Sequence, residues 1–238
     1  MSQNTENFRN PDKIRKMFSK VAGRYDLANS VLSMGIHHLW RKTLVAWSGA
    51  RTGDSVLDCA TGTGDLAIEF KQNVGEGRVV GTDFCSEMLI PAPEKAEKKN
   101  LDIEFSTADV LNLPFQNDEF NISSISFGIR NVADPKKALQ ELARVTKSGG
   151  QVMVLEFGQP NNPLFAGFYN FYSKNVLPKI GGLITGEGEA YDYLQDSSSE
   201  FPCKEGFLEW ANQTELFTET QFDSLTGGIA YMYKLTVK

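Results

Sequence analysis

A glycine-rich turn between a buried strand and an amphipathic helix is the feature that most constrains this chain. The segment reads Val56-Leu57-Asp58-Cys59-Ala60-Thr61-Gly62-Thr63-Gly64-Asp65-Leu66-Ala67. Its apolar start indicates a strand, and Leu66, Ala67 and Phe70 are spaced like the inner face of a helix. Glycine in the turn allows the backbone to approach a ligand closely at the helix N-terminus. The segment therefore predicts a strand–turn–helix unit that binds a nucleotide-like molecule.

Acidic residues after the next two strands strengthen this interpretation. Asp83 ends the strand pattern 78–83, and a carboxylate there can accept hydrogen bonds from both ribose hydroxyls. Asp109 follows the third strand, where a carboxylate can accept from the exocyclic amine of adenine; its alternative role is to start a turn before Leu113-Pro114. These positions predict an adenosine-containing cofactor.

The residues alone allow two kinds of adenosine-containing cofactor. The run from Gly62 to Ala67 fits G-x-G-x-x-A, so a nicotinamide dinucleotide is one alternative. Asp58, just before the glycines, is placed to meet a cationic amino group, which dinucleotides lack. Its alternative role is to bind the glycine turn itself.

Strands and helices alternate along the chain in the order typical of a parallel sheet covered by helices. The pattern predicts strands over 55–59, 78–83, 101–106, 120–127 and 151–157, and helices over 65–73, 86–98 and 135–146. After a helix over 204–212, two further strands over 217–225 and 229–237 flank Thr226-Gly227-Gly228. Because so short a glycine turn makes a hairpin, the last strand must run antiparallel. We therefore predict an α/β fold with a mostly parallel, seven-stranded sheet that ends in an antiparallel hairpin.

Two segments lie outside this alternation. Apolar residues recur at helical spacing over 12–47, with interruptions at Arg24-Tyr25-Asp26, Asn29-Ser30 and Gly35. Residues 160–188 are rich in Phe and Tyr, which indicates a helical insertion after the fifth strand. We divide the chain into an N-terminal helical cap over 1–50 and a cofactor-binding domain over 51–238, with the insertion over about 158–200.

Charge and cysteine content limit the partners and the compartment. The chain carries 24 Lys and Arg residues against 30 Asp and Glu residues, which argues against nucleic acid as the main partner. Three cysteines without C-x-x-C spacing indicate neither disulfides nor a zinc site. Residues 1–10 are polar, unlike a signal peptide, and no apolar run reaches the roughly 18 residues of a membrane span. We therefore expect a cytoplasmic protein that needs no metal.

The strand order, the aspartates and the final hairpin resemble the class I adenosylmethionine-dependent methyltransferases, which have a Rossmann-like fold. Longer motifs resemble one family of that class, the ubiquinone/menaquinone biosynthesis C-methyltransferases. These motifs are Ala22-Gly23-Arg24-Tyr25-Asp26-Leu27-Ala28-Asn29, Gly35-Ile36-His37-His38-Leu39-Trp40-Arg41, Phe127-Gly128-Ile129-Arg130-Asn131-Val132, Val154-Leu155-Glu156-Phe157 and Leu225-Thr226-Gly227-Gly228-Ile229. The resemblance spans about Met17 to Ile229. The chain departs from the family pattern at Thr61, at Ser148 and after Ile229, which bears on substrate preference more than on the reaction.

The resemblance implies S-adenosyl-L-methionine as the cofactor and assigns residues to it. The implied contacts are Thr63 at the turn, Asp83 at the ribose, Asp109 and Val110 at adenine, and Ser126 at the end of the fourth strand. The strand pattern selects Asp83 and Asp109 independently, together with Asp58, Gly62 and Gly64. The alternative for Ser126 and Val110 is an ordinary strand or packing role.

The implied substrate is a hydroquinone with a prenyl tail, which is methylated on a ring carbon. A phenol has a pKa of roughly 10, so the enzyme must lower that pKa or remove the proton. Arg130 and Asn131 follow the fourth strand, and we predict that they stabilise and orient a ring oxygen. Tyr25 is predicted to close over the site, and His37 is a candidate base. A packing or structural role is the alternative for both.

Further expectations concern partners and rival functions. The aromatic stretch Phe165–Tyr172 forms either core or a groove for the prenyl tail. A substrate from the bilayer implies transient contact at the inner face of the membrane. The sequence does not decide whether the protein forms a homodimer. Rival functions are a nicotinamide-dependent oxidoreductase, a binding protein without turnover, and methylation of another phenol. Between a naphthoquinol and a benzoquinol ring, the resemblance favours the menaquinone type.

Overall fold

A seven-stranded sheet forms the centre of the molecule in the computed structural model, which describes residues 10–238. The strand order is β3-β2-β1-β4-β5-β7-β6. Strands β1 to β5 are parallel, whereas β7 lies antiparallel between β5 and β6. The predicted fold class and terminal hairpin are confirmed. The strands are β1 (Val56–Cys59), β2 (Val79–Asp83), β3 (Glu104–Thr107), β4 (Phe120–Ser126), β5 (Thr146–Phe157), β6 (Phe217–Leu225) and β7 (Ala230–Val237).

Helices cover both faces of this sheet. Successive strand residues point to opposite faces, so Leu57 joins one hydrophobic core and Val56 the other. Three helices precede the sheet: α1 (Pro11–Val21), α2 (Tyr25–Leu32) and α3 (Ile36–Ser48). The helices between and after the strands are α4 (Asp65–Val74), α5 (Ser86–Leu89), α6 (Ala92–Glu97), α7 (Pro135–Val145), α8 (Pro163–Asn175), α9 (Leu177–Thr185), α10 (Gly188–Glu200) and α11 (Glu205–Asn212).

Several predicted element boundaries are wrong. The single helix predicted over 86–98 is broken into α5 and α6, because Pro91 has no N–H to donate and its ring clashes with the preceding turn. The predicted interruption at Asn29-Ser30 lies inside α2. Strand β3 begins at Glu104 rather than 101, and β5 begins at Thr146, with a register shift against β4.

The N-terminal helices and the insertion form one cover over the sheet. Ala28 and Leu32 of α2 are buried beside Ile180 and Ile184 of α9. The Tyr172 hydroxyl donates to Leu32 O at 2.8 Å, which ties α8 to α2. Residues 1–9, the polar start of the predicted cap, lie outside the described residues. None of the described helices is long and apolar enough to cross a membrane.

Candidate active site

A cavity of about 140 Å³ lies at the carboxyl ends of the strands, where ligands of doubly wound sheets bind. Residues after β1, β2, β3 and β4 form its walls, and α1 lies along one side. Five predicted cofactor residues are therefore brought together here. They are Gly62, Asp83, Asp109, Val110 and Ser126.

Asp83 is fixed by two backbone N–H groups. Its Oδ2 accepts from Gly62 N and its Oδ1 from Cys85 N, both at 2.8 Å. Gly62 has φ +57°, a left-handed conformation that favours glycine. Burial raises the pKa of Asp83, while the two N–H groups act in the opposite direction. Since each carboxylate oxygen has a second lone pair, Asp83 can accept from a vicinal diol such as ribose.

Ser126 and Asp109 provide the test of whether this cavity fits an adenosine-containing cofactor. The Ser126 Oγ is buried and has no hydrogen-bond partner among residues 10–238. An unpaired buried hydroxyl costs about 1–3 kcal/mol, so a polar ligand here would be stabilised. Asp109 Oδ1 accepts from Leu111 N at 2.9 Å, which fixes the carboxylate beside Val110. The donor and acceptor set fits S-adenosyl-L-methionine.

Asp58 and Gly64, two further predicted cofactor residues, lie outside the cavity lining, so the structure does not bring them together with the other five. Asp58 is fully buried and accepts from Thr61 Oγ1 at 2.6 Å and from Ser124 Oγ at 2.7 Å. It ties the glycine turn to β4, the alternative role that its position allowed. Burial raises the pKa of Asp58 to about 6. At Gly64, a Cβ would lie 2.9 Å from the Ala92 Cβ, so this glycine makes room for α6.

Thr63 also lies outside the lining, in a polar network that sequence reasoning missed. Its Oγ1 donates to Asp26 Oδ1 at 2.6 Å. Lys95 Nζ donates to Asp26 Oδ2 at 2.8 Å, to Thr63 Oγ1 at 3.1 Å and to Asp65 Oδ1. Arg41 pairs with Asp65 Oδ2 at 3.0 Å. The network fastens the N-terminal helices to the glycine turn and to α6.

A second cavity, of about 430 Å³, lies beside the first. Three aromatic residues, Phe18, Tyr25 and Phe127, line both cavities. The larger cavity is enclosed mainly by apolar and aromatic side chains of the N-terminal helices and the insertion. Of the two roles considered for the stretch Phe165–Tyr172, the structure supports a cavity lining, through Phe165, Phe168, Tyr169 and Tyr172.

Arg130 lies in the wall of the larger cavity in a buried ion pair with Glu156. Arg130 Nη1 donates to Glu156 Oε1 at 2.8 Å, and the two side chains are 5% and 1% exposed. Nη1 also donates to Phe127 O, whereas Nη2 makes no hydrogen bond within the described part of the chain. Burial raises the pKa of Glu156, and the charge of Arg130 opposes this shift. Nη2 therefore keeps hydrogen-bonding capacity that no described residue uses.

Glu156 is the buried partner of a predicted site residue, and sequence analysis gave it no role of its own. An acidic residue inside an otherwise apolar strand, Val152–Phe157, is the signal that indicates a buried charged partner.

Asn131 and Tyr25 lie where the two cavities meet. Asn131 lines the smaller cavity, and its Oδ1 accepts from the Tyr193 hydroxyl, on the larger cavity, at 2.9 Å. Its amide N–H₂ group is thereby oriented as a donor. The Tyr25 ring lies 6.2 Å from the Phe18 ring in an edge-to-face arrangement. Because burial raises the pKa of Tyr25, its hydroxyl is a hydrogen-bond donor at neutral pH.

His37 is buried in the wall of the larger cavity, beside Ser33. Ser33 Oγ donates to Asn29 O at 2.6 Å and lies 2.6 Å from His37 Nδ1. A neutral ring with its proton on Nδ1 would donate to Ser33 Oγ and leave a lone pair on Nε2. Nε2 has no partner in residues 10–238. Burial, with the nearby charges of Arg41 and His38, lowers the pKa of His37 to about 4, so the ring is neutral at neutral pH.

His37, His38 and Asp65 offer ligand atoms within 4.8 Å of one another. Asp65 is already paired with Arg41 and Lys95, and these positive charges oppose a metal ion. We therefore assign no metal to this group.

The seven-stranded sheet and its strand order, with Asp83 after β2 and Asp109 after β3 in the cavity wall, define a class I adenosylmethionine-dependent methyltransferase. The chain belongs to the ubiE/COQ5 methyltransferase family, whose model matches residues 6–237. The resemblance noted from the sequence is confirmed, and the nicotinamide-dependent alternative is set aside.

Named relatives and solved structures agree with this assignment. The ubiquinone/menaquinone biosynthesis C-methyltransferase UbiE of Bdellovibrio bacteriovorus is 65% identical over 96% of this chain and 97% of its own length. The same enzyme of Francisella tularensis subsp. novicida is 41% identical over 93% of this chain and 89% of its own. A SAM-dependent methyltransferase of Thermotoga maritima has a TM-score of 0.66 at 16% identity, over 94% of this chain and 99% of its own; this likeness concerns the fold.

Proposed function

We propose that this protein transfers the methyl group of S-adenosyl-L-methionine to a ring carbon of a prenylated quinol, and that the quinol is demethylmenaquinol. The observation that carries the proposal is the adjacency of two unlike cavities, which share Phe18, Tyr25 and Phe127. The cavity at the strand ends contains the acidic residues Asp83 and Asp109, whereas the larger one is lined mainly by aromatic and apolar side chains. The relatives named above act in ubiquinone and menaquinone biosynthesis, which supports a quinol as the acceptor.

An aromatic cluster in the larger cavity supports the naphthoquinol. The ring centroids of Phe127 and Phe157 lie 4.5 Å apart, and Trp40 lies 6.1 and 6.3 Å from them. A fused two-ring acceptor offers more π surface to such a cluster than a single ring does. The size of the cavity also suits a ring with an attached apolar tail.

The cofactor site uses residues whose geometry is fixed before the ligand arrives. Asp83 would accept from the ribose hydroxyls, Asp109 from the adenine amine, and Ser126 would gain its missing hydrogen-bond partner. When bound, S-adenosyl-L-methionine supplies an electrophilic sulfonium methyl group. Tyr25 and Phe127 then border both ligands, so they set the alignment on which the transfer rate depends.

Phenolate stabilisation by Arg130 is the central chemical step of this proposal. A phenolate oxygen makes its ortho carbon electron-rich, and Nη2 of Arg130 can donate to that oxygen in a site of low dielectric constant. The Asn131 amide can orient the same ring. His37, with its pKa near 4, is a weak base, so we assign it a positioning role.

The test is methyl transfer to two short-tailed acceptors. Methyl-labelled S-adenosyl-L-methionine is incubated with the protein and either demethylmenaquinol or the methoxy-benzoquinol of ubiquinone biosynthesis, and products are read by mass spectrometry. We expect label on a ring carbon, with the naphthoquinol faster. The oxidised quinones should give no product because they have no hydroxyl to ionise. Faster benzoquinol turnover would overturn the menaquinone assignment, and no product from either quinol would overturn the substrate class.

A further inference from the structure

Two helices beside the larger cavity each present exposed apolar side chains along one side. Leu27 and Val31 of α2, with Met34 just beyond its end, follow the spacing i, i+4, i+7, as do Leu164, Phe168 and Phe171 of α8. This spacing places each set on one side of its helix. Leu183 of α9 is exposed as well. These seven residues, between 46% and 87% exposed, are called the apolar rim below.

The apolar rim is continuous with the mouth of the larger cavity. Met34 and Phe168 belong to the rim and also line the cavity, so the two apolar stripes meet where the cavity opens. The hydrogen bond from Tyr172 to Leu32 holds the two helices together at this place. A prenyl tail that leaves the cavity would therefore emerge within the rim.

Met34 is held in solvent by an unfavourable backbone. Its φ of +50° lies in the left-handed region, which a residue with a Cβ rarely adopts. Gly35 follows with φ +76° and begins the turn into α3. The chain thus adopts a strained turn that keeps a large apolar side chain exposed. Such a feature points to a partner that accepts apolar side chains.

Charge favours a lipid surface over a second copy of this chain. Residues 10–50 contain seven Lys or Arg residues and two Asp residues, although the whole chain is acidic. Of the seven, Arg41 is buried in a pair with Asp65 and Lys20 pairs with Glu187, which leaves five for the surface charge. Exposed Lys174 and Lys179 lie on α8 and α9, and residues 163–185 contain no acidic residue. An anionic bilayer matches this charge and offers an apolar interior to the rim. A symmetric dimer through the rim would bring two positive surfaces together.

We propose that the apolar rim docks this protein on an anionic lipid bilayer, with the mouth of the larger cavity facing the membrane. A prenylated acceptor could then pass from the lipid into the cavity without crossing water. The identity of that cargo rests on the proposed function. Docking itself requires neither cofactor nor acceptor, so it can be measured separately.

The test is sedimentation of the full chain with vesicles, without cofactor or acceptor. We expect binding to vesicles of phosphatidylethanolamine with phosphatidylglycerol, weaker binding at high salt, and weaker binding to phosphatidylcholine alone. The triple variant Leu164→Ser, Phe171→Ser, Leu183→Ser should lower binding about tenfold or more. These side chains are exposed and line neither cavity, so folding and turnover of a short-tailed acceptor in solution should be unchanged. The matched control is Ile90→Ser, which is equally exposed but outside the rim and should bind like the unmodified protein.

Three outcomes would overturn the proposal. The unmodified protein fails to sediment with anionic vesicles, or the triple variant sediments as well as it does. Alternatively, light scattering without lipid shows a dimer that the triple variant loses, which would make the rim a contact between copies. A protein that docks through the rim but methylates no quinol would leave this inference standing and remove the proposed function.

Discussion

The two cavities of the active site are built in opposite ways. In the smaller cavity, backbone N–H groups of consecutive strand–turn units fix the acceptors, as Gly62 and Cys85 do for Asp83. In the larger cavity, hydrogen bonds join segments much further apart in sequence, as from the Tyr172 hydroxyl to Leu32 O. The difference teaches that the cofactor site follows from local chain geometry, whereas the acceptor site exists only after the N-terminal helices and the insertion have packed together.

Variants of the buried Arg130–Glu156 ion pair should have the largest effects on stability and turnover. Arg130→Met alone leaves a buried unpaired carboxylate, so we expect a loss of about 3–5 kcal/mol in the free energy of unfolding. The double variant Arg130→Met, Glu156→Leu removes both charges and should recover most of that stability. Its turnover should still be about a hundredfold lower, because the phenolate has lost its donor, with the cofactor Kd unchanged. Urea unfolding, steady-state kinetics and calorimetry measure the three quantities.

A folded double variant that regains full turnover would show that Arg130 is only structural. A folded double variant that no longer binds the cofactor would contradict the division of labour between the two cavities.

Asp83→Asn should instead act mainly on cofactor affinity. We expect the Kd of S-adenosyl-L-methionine to rise about tenfold to a hundredfold, since a charged acceptor of a ribose hydroxyl is lost. Stability should also fall by about 1–3 kcal/mol, because asparagine has one side-chain oxygen and cannot accept from both Gly62 N and Cys85 N. Calorimetric titration checks the affinity, and Asp102→Asn, at an exposed aspartate, is the control. An unchanged Kd for Asp83→Asn would remove Asp83 from the ribose site.

Acid should change the stability of the protein with opposite signs through His37 and through Asp58. The pKa of His37 is about 4 in the folded protein and roughly 6.5 when unfolded, so the unfolded state binds more protons between these values. The stabilisation from neutral His37, up to about 3 kcal/mol, is lost as pH falls through this window. The pKa of Asp58 is about 6 when folded and roughly 3.9 when unfolded, so its contribution falls as pH rises.

Single variants separate these two slopes. Relative to the unmodified protein, His37→Gln should lose less stability between pH 6.5 and pH 4, and Asp58→Asn should lose more. Urea unfolding across this range is the measurement. The same direction of change in both variants would contradict the assignment of these pKa shifts.

Lys95→Met should have the smallest effect. It weakens the polar network that connects the N-terminal helices to the glycine turn. Lys95 is about a quarter exposed, so solvent screens its ion pairs, and we expect a loss of about 1 kcal/mol. The cofactor Kd should rise a few-fold, with faster hydrogen exchange in α1 and α2, because the glycine turn is less firmly attached. Lys98→Met breaks only an exposed pair with Glu94 and is the matched control. Equal hydrogen-exchange rates in both variants would show that the Lys95 network does not hold the N-terminal helices in place.

The same contrast explains what could be predicted from the sequence. Strand ends and glycine turns are local signals, so the fold class was predicted correctly. Asp83, Asp109 and Ser126 line the smaller cavity, and their contact with the cofactor stays a prediction. Asp58 does not line it, because Ser124 of the neighbouring strand donates to its carboxylate, which a strand pattern does not show.

The larger cavity depends on contacts far apart in sequence. The Tyr172 hydroxyl donates to Leu32 O and the Tyr193 hydroxyl donates to Asn131 Oδ1. No periodicity along the chain predicts either hydrogen bond. The resemblance to a family supplied Arg130, but only packing revealed its partner Glu156.

Filling the larger cavity tests the separation of the two sites most directly. Ala190 of α10 lines that cavity and not the smaller one, so Ala190→Phe should obstruct the acceptor alone. With folding verified by circular dichroism, the cofactor Kd should stay within about twofold of the unmodified value, while turnover of a prenylated acceptor falls about tenfold or more. A folded variant whose cofactor affinity falls as far as its turnover would contradict two separate cavities, and so would one with undiminished turnover.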